Sequence, residues 1–350
     1  MTTEARPSSV VAESGERVVV DYQAHWYPRS VVERLVARSI YPKVERDAHG
    51  GYVYWLDEGV SQPLMEKLTA DIEEHIAHAT DSGVDVLVIA SATLSEVFDW
   101  PAREAADFLD ALHVEYASAQ RRYPDRLSCL AALPMQDAII ALEVLERAIG
   151  ELGLRGVSLL TTIQDGHPLV TEGSLAVFSR IAELGVPLVL HPGFRSATRV
   201  GTQSLREESG LSWMYQTALT ALRLVDGGVF DAVPDLVVVH PHLGGVLPYL
   251  AERISSLGGS RAEHRLEHYF KTNFYVDTAG GHPGALRLAI DTYGSERVVF
   301  GSDYPFYRMD AVRQWVETSL EPQAVQQLYA NRVGGLRVPA LAARENSGTR

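Results

Sequence analysis

The chain has 350 residues, of which 46% are hydrophobic and 22% are charged, proportions that are typical of a globular protein. Its 31 Lys and Arg against 45 Asp and Glu give a formal net charge of −14, which disfavours nucleic acid and anionic membranes as partners. The single cysteine, Cys129, cannot form an internal disulfide, and no apolar run approaches the ~20 residues of a membrane span. Together with a polar N-terminus unlike a signal peptide, these properties predict a cytoplasmic globular enzyme.

Eight short runs rich in Val, Leu and Ile predict β-strands. Most are apolar throughout rather than alternating, which is typical of strands buried on both faces of a parallel sheet. The polar ends of the chain, residues 1–16 and 338–350, are expected to be flexible tails outside a single domain of residues 17–337. In chain order the strand-like runs are 17–25, 84–92, 127–134, 156–162, 187–193, 236–242, 274–280 and 298–306.

Segments with apolar residues at helical spacing alternate with these runs. Eight strand–helix repeats favour an α/β protein that forms a (β/α)8 TIM barrel over an open doubly wound sheet. No Gly-x-Gly-x-x-Gly follows the first strand, which weakens a dinucleotide-binding interpretation. The clearest helical segments are 68–79, 105–116, 138–149, 175–184 and 219–225.

Residues 26–66 interrupt the repeat directly after the first strand. The segment is rich in aromatic, charged and Gly residues, and GGYVYW at 50–55 predicts a short hairpin. An insertion at this point lies on the active-site face of a barrel. It therefore forms either a lid over a substrate or an arm for packing or dimerisation.

Polar side chains collect where the apolar strands end. Gln23 and His25 end the first strand, His191 ends the fifth and Asp303 lies in the eighth. Such residues are costly in a core unless they are paired or bound, and the carboxyl ends of barrel strands meet at one mouth. Imidazole and carboxylate groups around an open position are typical of a catalytic divalent-metal site, so we predict these four residues as its ligands.

A second histidine-rich segment follows the sixth strand. His242 is followed by Leu243 and a Gly-Gly pair. Because histidine titrates near neutral pH, His242 suits a proton-transfer role, which it would share with Asp303. His240 lies two residues earlier and either shares that face or is a buried support. Four other histidines on helical segments are expected to be surface residues: His75, His78, His264 and His268.

Five aromatic residues lie on or next to the same loops and are predicted to line a substrate site. Aromatic walls suit a flat, partly apolar small molecule. The residues are Trp26, Trp55, Trp213, Tyr304 and Phe306.

Three segments of the sequence, PLVLHPG, HPHLGG and FGSDYPF, carry a family resemblance. They resemble the amidohydrolase-related metal-dependent barrels, in particular the decarboxylase branch typified by aminocarboxymuconate-semialdehyde, resorcylate and salicylate-type decarboxylases. The resemblance implies one divalent metal, zinc or manganese, on Gln23, His25, His191 and Asp303, with proton handling at His242. The fourth strand has no Lys for a bridging carbamate, which fits a single ion.

The sequence departs from this family pattern at Gln23, where relatives have His or Glu. A neutral amide oxygen is a poorer ligand, so we expect weaker metal binding, a shift toward harder ions or loss of the metal. A second departure is that YVYWLDEG contains no Arg of the kind that binds a substrate carboxylate in some members.

Three functions remain open on the sequence. The first is a non-oxidative decarboxylase of a small aromatic or unsaturated carboxylic acid, in which the metal acts as a Lewis acid. The second is a metal-dependent hydrolase of a lactone, amide or ester. The third is a repurposed barrel whose metal site is weakened or lost. In each case the expected partner is a small molecule, and a homodimer is possible.

Overall fold

The computed structural model describes residues 18–162, 169–194 and 204–338. The tail expected over residues 1–16 lies outside this part of the chain, as does the tail over 338–350 apart from Val338, whose side chain is buried. No helix among the described residues is long and apolar enough to cross a membrane.

The strands form one parallel ring and one separate antiparallel sheet. They are β1 (Val20–His25), β2 (Lys43–Arg46), β3 (Tyr52–Asp57), β4 (Val60–Pro63), β5 (Val86–Ala90), β6 (Leu127–Cys129), β7 (Val157–Leu160), β8 (Leu188–His191), β9 (Val238–His240), β10 (Phe274–Asp277) and β11 (Val298–Val299).

Eight of these strands close into a barrel. The orders β1-β5-β6 and β7-β8-β9-β10-β11 are joined by a parallel bridge between Ala131 and Val157. A second bridge, between Ala24 and Tyr304, returns the sheet to β1, where the Tyr22 N–H donates to the Phe300 carbonyl over 2.9 Å. The predicted (β/α)8 barrel is therefore confirmed.

Helices surround the ring. The predicted helical segments are all present, and the longest, α3, extends beyond its predicted bounds at both ends. The helices are α1 (Arg29–Val36), α2 (Ile72–Asp81), α3 (Ala102–Arg122), α4 (Ala138–Leu145), α5 (Ser174–Glu183), α6 (Leu205–Glu207), α7 (Trp213–Asp226), α8 (Val229–Ala232), α9 (Pro241–Gly244), α10 (Leu247–Ser255), α11 (Leu266–Thr272), α12 (Pro283–Tyr293), α13 (Met309–Ser319) and α14 (Pro322–Ala330).

Two layers of buried side chains explain the uninterrupted apolar strands. One cluster takes its members from the strands and from the segment after α14, and it includes Val20, Tyr22, Val88 and Val333. A larger cluster joins the other strand faces to the helices. Because successive strand residues point to opposite sides, both sides of each strand must be apolar.

The insertion after β1 contains α1 and the antiparallel sheet β2-β3-β4. Its first hairpin is wider than the predicted GGYVYW segment, because Gly50 belongs to the turn between β2 and β3. Tyr54 of β3 is buried and donates its hydroxyl hydrogen to the Thr93 carbonyl over 3.1 Å. This contact fixes the sheet to the loop after β5, at the carboxyl end of the barrel. Its role as a lid stays a prediction.

Candidate active site

A β-bulge in β1 directs two polar side chains into the barrel mouth. The register with β5 shifts between Asp21 and Ala24, so the bulged strand carries one residue more than its partner. Val20 and Tyr22 belong to the smaller cluster, on the inner face of the strands, whereas Ala24 belongs to the larger cluster, on the face toward the helices. The extra residue therefore reverses the alternation of side chains between the two faces of β1. As a result, Gln23 and His25 point into the barrel at the end of the strand.

Hydrogen bonds between β1 and the segment after β11 position Asp303. The Asp303 N–H donates to the Gln23 carbonyl and the His25 N–H donates to the Tyr304 carbonyl, each over 2.8 Å. Ser302 donates its N–H and its hydroxyl hydrogen to the buried Asp21 carboxylate, over 2.9 Å and 2.5 Å. Asp303 itself has a φ of 63°, a strained value that these contacts hold in place.

The predicted ligand residues lie around one point. His25 Nε2 is 2.9 Å from Asp303 Oδ1, and the His191 ring is edge-on to His25 with 5.0 Å between centroids. His242 Nε2 is 3.7 Å from the other oxygen, Asp303 Oδ2. The Gln23 carboxamide completes the cluster, with one of its terminal atoms 3.3 Å from Asp303 Oδ1. The structure thus brings together side chains that are 280 residues apart in the chain.

The two inward histidines are oriented by backbone carbonyls. His25 Nδ1 is 3.2 Å from the Ala90 carbonyl, and His191 Nδ1 is 2.7 Å from the Pro192 carbonyl. A carbonyl oxygen only accepts hydrogen bonds, so these partners place a hydrogen on each Nδ1 and direct each Nε2 toward the cluster. Nε2 of His25 then faces a carboxylate oxygen. Two atoms that each supply an electron pair favour a cation between them. The cation is either a proton, which makes the contact a hydrogen bond, or a metal ion.

The Gln23 carboxamide is assigned in the same way. In one orientation Nε2 lies 3.3 Å from Asp303 Oδ1 and 3.5 Å from His242 Nε2, which leaves Oε1 against the Asp277 carboxylate. In the other orientation the nitrogen donates to Asp277 Oδ2 over 2.7 Å and to Oδ1 over 3.0 Å. The second orientation replaces a contact between acceptors with two short hydrogen bonds, so the amide oxygen faces the cluster.

His242 lies on a strained turn. It has φ 57° and ψ 48°, Leu243 has φ 55°, and the next two residues are glycines that also have positive φ. Left-handed conformations cost free energy in residues with a Cβ, and they collect at functional sites. The turn is held by a hydrogen bond of 3.0 Å from the His242 N–H to Asp277 Oδ1. It directs the imidazole toward Asp303.

Burial and charge set the protonation of the cluster. Burial lowers the pKa of His242, but the nearby negative charges of Asp303 and Asp277 outweigh it and raise that pKa above its ordinary value. Burial raises the pKa of Asp303, but His242 and His25 outweigh it and hold that pKa well below its usual range. Burial lowers the pKa of His191 to about 3. The cluster therefore holds an ionised carboxylate and a neutral His191, and its His242 takes up a proton more readily than an ordinary histidine.

A cavity of about 400 Å³ opens above the cluster. It is large enough for a single-ring substrate. Its described lining consists of Gln62, Ala92, Thr93, His191, Pro192, Phe194, Ser209, Gly210, Trp213, Met214, His242, Gly280, Asp303, Phe306 and Tyr307.

Two of the five predicted aromatic residues, Trp213 and Phe306, line this cavity. The other three are absent from its described lining. Trp26 is buried, stacks on Tyr116 and donates its Nε1 hydrogen to the Ala70 carbonyl over 2.9 Å. Tyr304 is buried against His78, with 4.6 Å between ring centroids.

Trp55 is half-buried on β3, outside the described cavity lining. Proximity in sequence to a strand end does not decide on which side a loop side chain packs.

Phe194, Tyr307 and Gln62 line the cavity although they were missing from the predicted set. Phe194 and Tyr307 follow the predicted strand ends closely, so their position was a usable signal. Phe194 contacts Trp213 edge-on, with ring centroids 5.0 Å apart. Gln62 comes from β4, and no motif in the sequence marks it.

The other histidines singled out in the sequence differ in burial. The prediction of a surface position is wrong for His75, which is buried edge-on against Tyr304. His78 is half-buried, and His264 and His268 are exposed as expected. His240 is buried, and neither of its ring nitrogens has a hydrogen-bond partner among the described residues. Burial lowers its pKa to about 3, which fits a neutral support.

Comparison with known proteins places the fold in a family. A family model described as amidohydrolase matches residues 20–329. A gamma-resorcylate decarboxylase of Polaromonas sp. strain JS666 is 33% identical over 237 residues, which cover 62% of this chain and 70% of that protein. A 2-amino-3-carboxymuconate-6-semialdehyde decarboxylase of Dictyostelium discoideum is 25% identical over 271 residues, which cover 72% and 73%.

A solved structure agrees with this placement. The dihydroxybenzoic acid decarboxylase of Polaromonas sp. JS666, with bound manganese and the inhibitor 2-nitroresorcinol, superposes with a TM-score of 0.71 at 22% identity. The match covers 94% of this chain and 98% of that one. The resemblance read from the sequence motifs is therefore confirmed, and the chain belongs to the amidohydrolase family, where its relatives include decarboxylases of aromatic and unsaturated acids.

Proposed function

We propose that this protein is a metal-dependent, non-oxidative decarboxylase of a small aromatic or unsaturated carboxylic acid. The observation that carries the proposal is the convergence of Gln23, His25, His191 and Asp303 beside His242 at the base of a cavity with aromatic walls. The decarboxylases among the relatives support the reaction class. A homodimer stays a prediction.

The donor set fits one divalent ion, held by Gln23, His25, His191 and Asp303. The lone pairs of His25 and of the Gln23 oxygen both face Asp303 Oδ1, an arrangement that a cation would stabilise. Within the described ranges, no three His, Cys, Asp or Glu side chains already form a metal cage; His25 Nε2 lies 2.9 Å from Asp303 Oδ1 instead.

An amide oxygen in place of an imidazole favours a hard ion, so we propose manganese over zinc. The decarboxylase of known structure that holds manganese supports this choice. A bound divalent ion supplies a Lewis acid that neutralises the substrate carboxylate and the charge that develops beside it.

The chain's own residues then orient the substrate and supply a proton. Trp213 and Phe306 line the cavity, where their aromatic rings suit a flat substrate. As the bond to the carboxylate breaks, CO2 leaves and its electron pair stays on the ring carbon. That carbon takes a proton from His242 Nε2, which lies 3.7 Å from Asp303 Oδ2 at the base of the cavity. Solvent returns the proton to His242.

The experiment supplies manganese and a panel of hydroxybenzoic acids and measures CO2 release in D2O. We expect CO2 and a product with one deuterium at the carbon that lost the carboxylate. His242→Asn is expected to lower kcat by about 10²–10⁴-fold with a small change in KM, because it removes the proton donor. Uptake of 18O from labelled water without CO2 would instead identify the hydrolase alternative and refute the proposal.

A further inference from the structure

Asp277, at the carboxyl end of β10, connects three parts of the candidate site. Its side chain is fully buried. Oδ1 accepts the His242 N–H over 3.0 Å and the Ala279 N–H over 3.1 Å, and the Gln23 amide nitrogen lies 2.7 Å from Oδ2 and 3.0 Å from Oδ1. One carboxylate thus contacts the strained turn of His242 and the side chain of Gln23.

We infer that Asp277 is a positioning residue that fixes the Gln23 carboxamide with its oxygen toward the cluster and its nitrogen away from it. This inference rests on the proposed function, since it treats Gln23 as a ligand. An amide presents either a donor or an acceptor, and the two differ by a half-turn about one bond. Only the amide oxygen can bind a cation. The Asp277 carboxylate, which holds the amide nitrogen on the opposite side, therefore decides whether Gln23 can act as a ligand.

Oδ1 contacts the backbone hydrogens and Gln23, whereas Oδ2 contacts Gln23 at the shorter distance, so a change at Oδ2 alone perturbs Gln23 and keeps the backbone hydrogen bonds. In Asp277→Asn, the remaining oxygen still accepts the His242 and Ala279 backbone hydrogens, whereas an NH2 group replaces Oδ2. That group now faces the Gln23 nitrogen at 2.7 Å, donor against donor. This repulsion at the shorter distance opposes the remaining 3.0 Å hydrogen bond to Oδ1, so we expect the Gln23 amide to rotate and present its own NH2 group to the cluster. If Asp277 only held the backbone of the His242 turn, Asp277→Asn would leave the Gln23 amide in its original orientation.

The reciprocal change is Gln23→Glu in the Asp277→Asn background. A glutamate oxygen accepts a hydrogen from the new Asn side chain, and its second oxygen faces the cluster. With Asp277 intact, Gln23→Glu instead sets two carboxylates against each other. The double variant should therefore bind metal more tightly than either single variant. This comparison between Gln23→Glu and the double variant stays informative even where Asp277→Asn alone folds poorly.

The first measurement is the affinity of the full chain for Mn2+, by competition with a chelating dye. We expect Asp277→Asn to lose about 10–100-fold in affinity, the usual effect of removing a partner behind a ligand, and the double variant to recover most of it. The control is Asp85→Asn, since Asp85 accepts the Val19 N–H at the opposite end of the barrel and should leave the affinity unchanged. Equal affinities in the wild type and Asp277→Asn would overturn the inference.

A second measurement separates this inference from the proposed function. In protein with 15N-labelled glutamine, the side-chain amide signals of Gln23 are assigned by their loss in Gln23→Glu. Without added metal, we expect them to be shifted by the hydrogen bonds to Asp277 and to move in Asp277→Asn but not in Asp85→Asn. If the wild type binds neither Mn2+ nor Zn2+, the proposed metal-dependent function fails. Signals that do not move in Asp277→Asn would overturn the positioning role itself.

Discussion

Gly245 follows the His242 turn, and its replacement by alanine tests how tightly that turn is built. Its φ of 57° with ψ of −129° lies in a region that residues with a Cβ rarely adopt. A Cβ at this position would stand well inside contact distance of the Met214 carbonyl oxygen and 3.1 Å from Thr217 Oγ1. Since the carbonyl belongs to the backbone of α7, it cannot move away without a shift of the helix.

Two contributions set the expected magnitude. The backbone strain costs about 1–3 kcal/mol and the overpacking against α7 another 1–3 kcal/mol, so Gly245→Ala should lower the free energy of unfolding by about 2–6 kcal/mol. Gly228→Ala is the matched control. Gly228 also has a positive φ, 71°, but a Cβ added there would lie 3.8 Å from its nearest neighbour, Asp231 Oδ2, which is an ordinary contact distance. It should lose only the conformational share, about 1–2 kcal/mol.

The assay is urea denaturation followed by tryptophan fluorescence, with CO2 release measured on the folded protein. We expect Gly245→Ala to lose activity as well as stability, because the turn directs His242 toward Asp303. Gly228→Ala should lose stability alone. If the two variants were equally stable and equally active, the reasoning from contact with α7 would be refuted.

Two further predictions concern the cavity and the core. Trp213→Ala should raise KM more than it changes kcat, because Trp213 lines the cavity. Trp55 lies outside the described lining, so Trp55→Ala should leave KM unchanged. Steady-state kinetics with the carboxylic acid substrate measures both effects, and equal KM values for the two variants would contradict the prediction. His113 is buried, accepts the Ala132 N–H at Nε2 over 3.0 Å, and burial lowers its pKa to about 4. The unfolded state therefore binds its proton first, and stability falls as the pH drops from 6.5 toward 4. His113→Gln can still accept that hydrogen but does not titrate, so its free energy of unfolding should fall less steeply with pH, by at most about 1.4 kcal/mol per pH unit in this window. Urea denaturation at a series of pH values measures this slope. Equal slopes for the two proteins would contradict the assignment.

The sequence by itself determined the barrel and the identity of the clustered residues. Uninterrupted apolar strands in alternation with helices are compatible with few other folds, because both strand faces must be buried. The polar residues Gln23, His25, His191 and Asp303 end such strands, and the ends of barrel strands can meet only at the mouth. Position in the chain was therefore enough to predict that these side chains share one site, although their roles stay proposals.

Tertiary structure decided what depends on contacts between distant segments. The bulge in β1 sets the inward direction of Gln23 and His25, and it arises from pairing with β5, which no local pattern encodes. Trp26 packs into the core while Phe194 reaches the cavity, because a loop side chain can turn to either side of its backbone. The orientation of the Gln23 amide depends on Asp277, which lies far along the chain. Residue type and spacing fix which groups approach each other, whereas their hydrogen-bond partners become definite only when the chain has folded.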